Sequence, residues 1–496
     1  MVVKIATQVA NSAKKEDSLA NLLGDFGKWQ LIVFASVSLV KLSSGWVQMA
    51  ILFLTPNLTF RCADLANYTE EIMNNTCYKG CGKYEYDTSP FDNTIVSEWD
   101  LICERRWLAS FNQTVLQVGI LIGSTIFGFL SDRYGRKKSF LVAISTLIIF
   151  GLAMPFSPNY LVFTILRFLT GLATSGTMVV SFVMVMEAVG PRYREVTGCL
   201  FQIPFIIGHM TIPLFAYYFR SWNTYLLALG IPPLIYLGYF FVLHESPRWL
   251  VSVGRVKEAT DIVTRACILN DRPTAKVEET LTQMSKEIAA KADEPKPNYL
   301  DLFKKFLLLK TVCCCIMWVI TGIIFFGFNQ YISQTSPDPF ISVALAGAIQ
   351  VPSNLLSIWL IKKFGRRLTA SISFIMQGVF ILILYFVPKI FAVTLIIGTL
   401  GVSCSAIAAS TIYIYTSELY PTVLRNMGMG ACSTAMRIGS MAAPFISNTS
   451  TTIPWLPTAI FGTTPVLAGL VALLLPETKG RSLPDSIEDV RTTDSD

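Results

Sequence analysis

Charge and histidine are what this chain has least of. Asp, Glu, Lys and Arg make up 15% of its 496 residues, against about a quarter in a soluble domain of ordinary composition. Its histidines number 2, His209 and His244, and no His/Cys pattern has metal-ligand spacing, so neither a metal nor another cofactor is expected. No phosphate-cradling GxxxxGK[ST] loop occurs, and no polar segment is long enough for a nucleotide-binding domain, which removes an ATP-driven pump. The chain also lacks a catalytic constellation, so an enzyme is not expected. No cleavable leader is expected, because residues 1–28 are polar and mixed in charge.

Apolar residues dominate instead, at 52% of the chain. They fall in runs of about 20, long enough to cross a bilayer as helices. Twelve such runs are legible, at 30–55, 108–130, 139–157, 160–186, 197–219, 224–243, 310–332, 340–361, 368–387, 391–416, 428–447 and 454–475. The net charge of +7 sits in alternate loops rather than on one surface, with Arg133, Arg136, Lys137 and Lys138 after the second run and Lys362, Lys363, Arg366 and Arg367 after the eighth. That pattern argues against a nucleic-acid partner. By the positive-inside rule it places both termini in the cytoplasm of a multi-pass protein, with the lipid bilayer as its solvent. The plasma membrane and a monomer are expected.

The sequence divides into a cytoplasmic N-terminus (1–29), a first six-helix bundle (30–250), a cytoplasmic connector with short helices (251–309), a second six-helix bundle (310–475) and a cytoplasmic tail (476–496). In the connector, Val256, Ala259, Ile262, Val263, Ala266 and Cys267 recur at helical spacing. The long loop 56–107 between the first two runs is expected outside. It holds Cys62, Cys77, Cys81 and Cys103, enough for two disulfides in any of three connectivities. It also carries glycosylation sequons at Asn57, Asn67 and Asn74, and Asn448 is a further match.

Three short motifs occur twice, about 231 residues apart. SDRYGRK (131–137), MEAVGPRYRE (186–195) and ESPRWL (245–250) are echoed by IKKFGRR (361–367), TSELYPTVLR (416–425) and PETKGR (476–481). Each charged motif closes an apolar run, which points to a transporter built from two similar bundles. Charged residues at these helix ends would hold the cytoplasmic side closed and release it when that side opens. Asp132, Arg136, Glu187 and Arg194 are assigned this gating role in the first half, and Glu418 and Arg425 in the second. A channel would not need duplicated gates; a transport-dead sensor on the same fold is the rival outside transport.

GFLSDRYGRKK (128–138) resembles the loop motif of the major facilitator superfamily. EWDLICERRW (98–107), TSELYPTVLRNMGMG (416–430) and the cysteine-bearing outer loop resemble the organic ion transporter family within it. The resemblance covers nearly the whole chain. It implies an all-α membrane protein with twelve transmembrane helices in two bundles around a central cavity that opens alternately to each side.

The cargo reading rests on charges inside the runs. Lys41, Arg167 and Arg437 lie well inside, and no Asp or Glu lies at comparable depth. A buried charge costs about 2.5–3.5 kcal/mol on insertion scales, so each needs a reason. Arg167 fits the superfamily's RxxxG pattern and is assigned a structural role. Arg437 and Lys41 are assigned to the substrate site, because unpaired positive charge in a low-dielectric cavity attracts anions. The resemblance supports this: at the position of Arg437 the family has Arg in anion and carnitine-type members and Asp in cation transporters. Gln350, where relatives often carry an acid, joins the site, with Phe325, Phe326, Trp46, Tyr413 and Tyr415 as apolar walls. The expected function is alternating-access transport of small organic anions or carboxylate-bearing zwitterions, with organic cation transport as the alternative.

Overall fold

The computed structural model describes residues 18–63, 75–78, 81–290, 299–335, 338–387, 390–421 and 424–479. The sequons at Asn67 and Asn74 lie outside these residues. The first half contains span 1 (Lys28–Met49, continued by Ile51–Leu54), span 2 (Trp107–Tyr134), span 3 (Arg136–Ala153), span 4 (Tyr160–Ala188), span 5 (Ile203–Tyr218) and span 6 (Trp222–Gly230, continued by Pro232–Gly238 and Tyr239–Val242). The second half contains span 7 (Lys305–Thr335), span 8 (Pro339–Phe364), span 9 (Arg366–Phe386), span 10 (Phe391–Leu419), span 11 (Arg425–Asn448) and span 12 (Leu456–Leu473). Eleven of these stretches are long and apolar enough to cross a membrane on composition alone. Span 11 is the exception, and it is the span that carries Arg437.

Span boundaries follow the repeated motifs. Gly135 and Gly365 separate spans 2 and 3 and spans 8 and 9 with φ of 107° and 89°. A Cβ at either position would lie 2.4 Å from Glu245 Oε2 or 2.6 Å from Glu477 Oε2. Only glycine fits a left-handed turn pressed against a carboxylate. Within each half the spans cross closely where glycines remove side chains. Gly45 and Gly208 let spans 1 and 5 touch, and Gly322 and Gly439 do the same for spans 7 and 11.

The described residues of the segment between spans 1 and 2 form a small cap at one end of the bundles. Its strands β1 (Phe60–Cys62) and β2 (Tyr84–Tyr86) pair antiparallel. Disulfides join Cys62 to Cys81 and Cys77 to Cys103, one of the three connectivities the spacing allowed. The cap rests on span 6 through an Asn93–Ser221 bridge and through Trp99, whose ring lies 5.2 Å from that of Trp222. It also reaches the second half, where Phe340 lies 5.6 Å from Phe91 and stacks 5.4 Å from Phe53.

At the opposite end the helices Val256–Leu269 and Val277–Ala290 pack their apolar faces with the short helix Ser18–Leu23. Asn270 ties this unit to span 1. Its Oδ1 accepts from the Trp29 N–H at 2.9 Å, and its Nδ2 donates to the Leu23 carbonyl at 2.9 Å.

Candidate functional site: two cations at the seam between the halves

Contacts across the seam are concentrated at the cap end. Arg106, just before span 2, donates through Nε to Asn448 Oδ1 at 2.7 Å and through Nη2 to Asn57 Oδ1 at 3.0 Å. Ser110 and Thr114 on span 2 donate to the carbonyls of Pro444 and Met441 on span 11 at 3.1 and 2.8 Å. Gln334 at the end of span 7 donates to the Thr55 carbonyl at 3.2 Å. Asn57 and Asn448, both sequon residues, thus use their side-chain oxygens in this clasp.

At the motif end, the ion pairs among the described repeated charges lie within each half. Arg136 bridges Asp132 at 2.6 Å and Glu187 at 2.8 Å. Glu245 Oε1 accepts from the backbone N–H groups of Arg136 and Lys137 at 2.8 and 2.9 Å. In the second half Arg366 bridges Glu418 at 2.7 Å, and Glu477 accepts from the N–H groups of Arg366 and Arg367 at 2.9 and 3.0 Å. Burial raises the Glu477 carboxyl pKa, but four backbone N–H donors outweigh it and hold the group below its ordinary value. The glutamates of the middle motif therefore meet the arginine of the preceding motif. Arg194 donates instead to the Val189 carbonyl at 3.3 Å, and Arg425 Nε and Nη2 have no partner among the described residues. Glu245, Glu477 and Arg366 were legible as motif residues, but no sequence signal marked them as completing these clusters.

Midway between the two ends, Lys41 on span 1 and Arg437 on span 11 lie within electrostatic reach of each other. Lys41 is 4% exposed, donates to Gln202 Oε1 at 2.7 Å and sits 4.2 Å over the Phe201 ring. Arg437 is half-buried, and its Nη1 reaches Gln117 Oε1 on span 2 at 3.4 Å, across the seam. Both cations are met by neutral amide oxygens, which leaves most of the guanidinium's five donors for another acceptor. Tyr413 stands within electrostatic reach of Arg437, is 41% exposed, and its ring lies 4.4 Å from that of Trp318. Phe325 faces Phe205 across the seam at 6.3 Å and packs edge-on against the buried Phe326 at 5.2 Å.

Other residues assigned to the site from sequence lie elsewhere. Tyr415 is fully buried in the second half, and its hydroxyl donates to the Pro476 carbonyl at 2.8 Å near the motif end. Trp46 is buried toward span 5, donating to Thr211 at 3.0 Å and packing on Phe215. Gln350 is buried at the span 5–span 8 seam, 3.0 Å from His209 Nδ1. Arg167 is enclosed in the first half. Sequence reading overlooked Gln117, Gln202, His209 and Arg106. Isolated amides inside apolar runs, as in FNQTVLQVG (111–119), were the available signal.

Comparison with known proteins accords with this architecture. The sequence model of the "Sugar (and other) transporter" family matches residues 68–489. An organic cation transporter protein of Drosophila melanogaster is 31% identical over 95% of this chain and 94% of its own length. Solute carrier family 22 member 6-A of Xenopus laevis is 32% identical over 85% and 76%. Organic cation/carnitine transporter 2 of Mus musculus is 29% identical over 95% and 93%. Among solved structures, the inward open conformation of the xylose transporter XylE from E. coli superposes with a TM-score of 0.68 at 18% identity, covering 94% of this chain and 99% of that one. With its duplicated motifs, its twelve spans in two halves and these relatives, the chain belongs to the organic ion transporter family of the major facilitator superfamily and is a membrane transporter.

Proposed function

We propose that this protein carries small organic anions or carboxylate-bearing zwitterions by alternating access, with the anionic group bound at Arg437. One observation carries the reading: two cations, one from each half, approach each other at the seam and are met by amides rather than carboxylates. A substrate carboxylate supplies the missing charge. Arg437 offers it a bidentate fork, Lys41 adds to the positive field, and Phe325 and Tyr413 line an apolar wall. Organic cations remain the second reading, favoured by the names of several relatives. A competition panel in proteoliposomes separates the two. Carboxylates and sulfates are expected to displace a transported tracer, whereas permanent cations without an acidic group leave its uptake unchanged. The reverse ranking, or ligand binding without saturable flux, overturns the reading.

The cap end faces outward in this reading, and both termini lie on the cytoplasmic side with the basic loops. The conformation is then closed outside. The Arg106–Asn57–Asn448 clasp is the external latch, and the Arg136–Glu187 and Arg366–Glu418 clusters brace the helix ends that part inside. Arg106→Ala removes two hydrogen bonds from a charged donor and is expected to shift the balance toward the outward-open state by about 1–2 kcal/mol, or about five- to thirtyfold. A membrane-impermeant maleimide applied outside measures this through Ala109→Cys, a buried seam position. Labelling at equal rates with and without Arg106 sinks the latch.

A further inference from the structure

Spans 5 and 8 meet across the seam through a contact that depends on the protonation state of one ring. His209 on span 5 is fully buried, and Gln350 on span 8 is 3% exposed. Gln350 Nε2 donates to the Ala346 carbonyl at 2.9 Å and lies 3.0 Å from His209 Nδ1. The carbonyl settles the roles. It can only accept, so the Gln350 atom beside it is the amide nitrogen, and that nitrogen must donate to Nδ1 as well. Nδ1 therefore offers a lone pair and the ring proton sits on Nε2, which has no partner among the described residues.

A second proton on the ring would destroy this contact. Nδ1–H would then face an amide N–H, donor against donor. Turning the amide over would set Gln350 Oε1 against the Ala346 carbonyl oxygen. The spans leave little slack to adjust, since a Cβ at Gly347 would lie 2.7 Å from Met210 Cα, beside the ring. Nor does a neighbouring acid balance an imidazolium. The titratable side chains on the elements packed against span 5 are Lys28 and Lys41 on span 1, Tyr225 on span 6, and Asp338, Lys362 and Lys363 at the ends of span 8. The one acid among them, Asp338, caps the far end of span 8, twelve residues from Gln350. On span 5 itself Tyr217 and Tyr218 stand at the opposite end, and the span 7 residue that meets it, Phe325, is uncharged.

We propose that His209 is a proton-binding site of the outer gate. A proton taken up from outside breaks the His209–Gln350 contact and holds spans 5 and 8 apart, so external acid favours the outward-open state. The inference rests on the reading above that the cap end faces outside and is closed in this conformation. In the closed seam the ring stays neutral. In the open one it meets water and titrates as an ordinary histidine, at about pH 6.5. Only the open state then binds the proton, so the opening constant grows about tenfold per pH unit below that value.

Ala109→Cys, the seam reporter of the latch, is labelled with the impermeant maleimide on cells held at about pH 7.5 and about pH 5.5. Acid slows the thiol chemistry itself, so each rate is divided by that of Asp92→Cys, an exposed cap position. The ratio is expected to rise about tenfold on acidification. His209→Gln keeps an oxygen for Gln350 but cannot be protonated, and is expected to hold the ratio flat. A flat ratio with His209 present, or a rise that survives His209→Gln, overturns the proposal. If His209→Gln does not reach the cell surface, the pH at which the rise begins decides. A start at about pH 6.5 fits a histidine, and one only below about pH 5 belongs to a carboxylate and refutes the assignment. Arg106→Ala calibrates the reporter. If it raises labelling and acid does not, His209 alone is refuted; if neither does, the closed outer gate falls with it.

Discussion

Arg437→Asp is expected to abolish uptake of organic anions. Arg437 is half-buried, within electrostatic reach of Lys41, and its described side-chain hydrogen bond is to the neutral Gln117. Truncating one partner of a buried, hydrogen-bonded charge pair costs about 2–5 kcal/mol, or about thirtyfold to several thousandfold in affinity. Reversing the charge adds repulsion, so a loss of at least about a hundredfold in kcat/KM is expected in proteoliposomes. Arg437→Lys keeps the charge but loses the planar fork, and is expected to retain activity with about a tenfold higher KM. A carboxylate at this position has the opposite sign to Lys41, so the substitution replaces repulsion between two cations by attraction. Admission of organic cations by that variant would extend the charge argument. Unchanged anion uptake by Arg437→Ala would end it.

Gly439→Val is expected to have the largest effect on folding. A Cβ at Gly439 would sit 2.0 Å from the Val319 carbonyl oxygen, and one at Gly322 would sit 2.1 Å from that of Met436. Both obstacles are backbone, so neither can rotate away, and spans 7 and 11 must separate along their length. Overpacking typically costs about 1–3 kcal/mol, and a β-branched side chain wedged between two helix backbones belongs at or above the top of that range. The expected result is a sharp loss of the monodisperse fraction on size exclusion and a fall in Tm of several degrees. Gly430→Ala in the same helix is the control. Its Cβ meets nothing within 4 Å, and Ala is the better helix former, so stability should hold or rise slightly. Equal behaviour of the two variants would show that the close crossing does not matter. Because Arg437 lies two residues from Gly439, this crossing also sets where the guanidinium stands.

Gly208 extends the point to the other half. It lies 231 residues before Gly439, and a Cβ there would meet the Leu42 carbonyl oxygen at 2.4 Å. The duplicated motifs in the sequence were the visible part of a duplicated packing scheme. In each half an arginine, a mid-motif glutamate and a glutamate at the end of the half form the same cluster. Asp132 breaks the symmetry, since Lys362 stands at its counterpart and the ion pair to Asp132 exists in the first half alone. Arg437 breaks it too, with Ile206 at the matching offset.

Hydrophobic run length determined the helices, because a backbone in lipid has no other way to satisfy its polar groups. The sequence by itself thus determined the spans, their two-half organisation and the presence of unbalanced positive charge in the interior. It did not determine where the side chains at those depths point, since every residue of an apolar run reads alike whether it faces lipid, core or seam. Only the tertiary structure decided that Lys41 and Arg437 approach each other, that Tyr415 and Trp46 turn into the packing of their own halves, and that Glu187 pairs with Arg136. Those outcomes follow from how the spans cross and rotate, which is set by contacts between residues hundreds of positions apart. Periodicity along one helix carries no information about them.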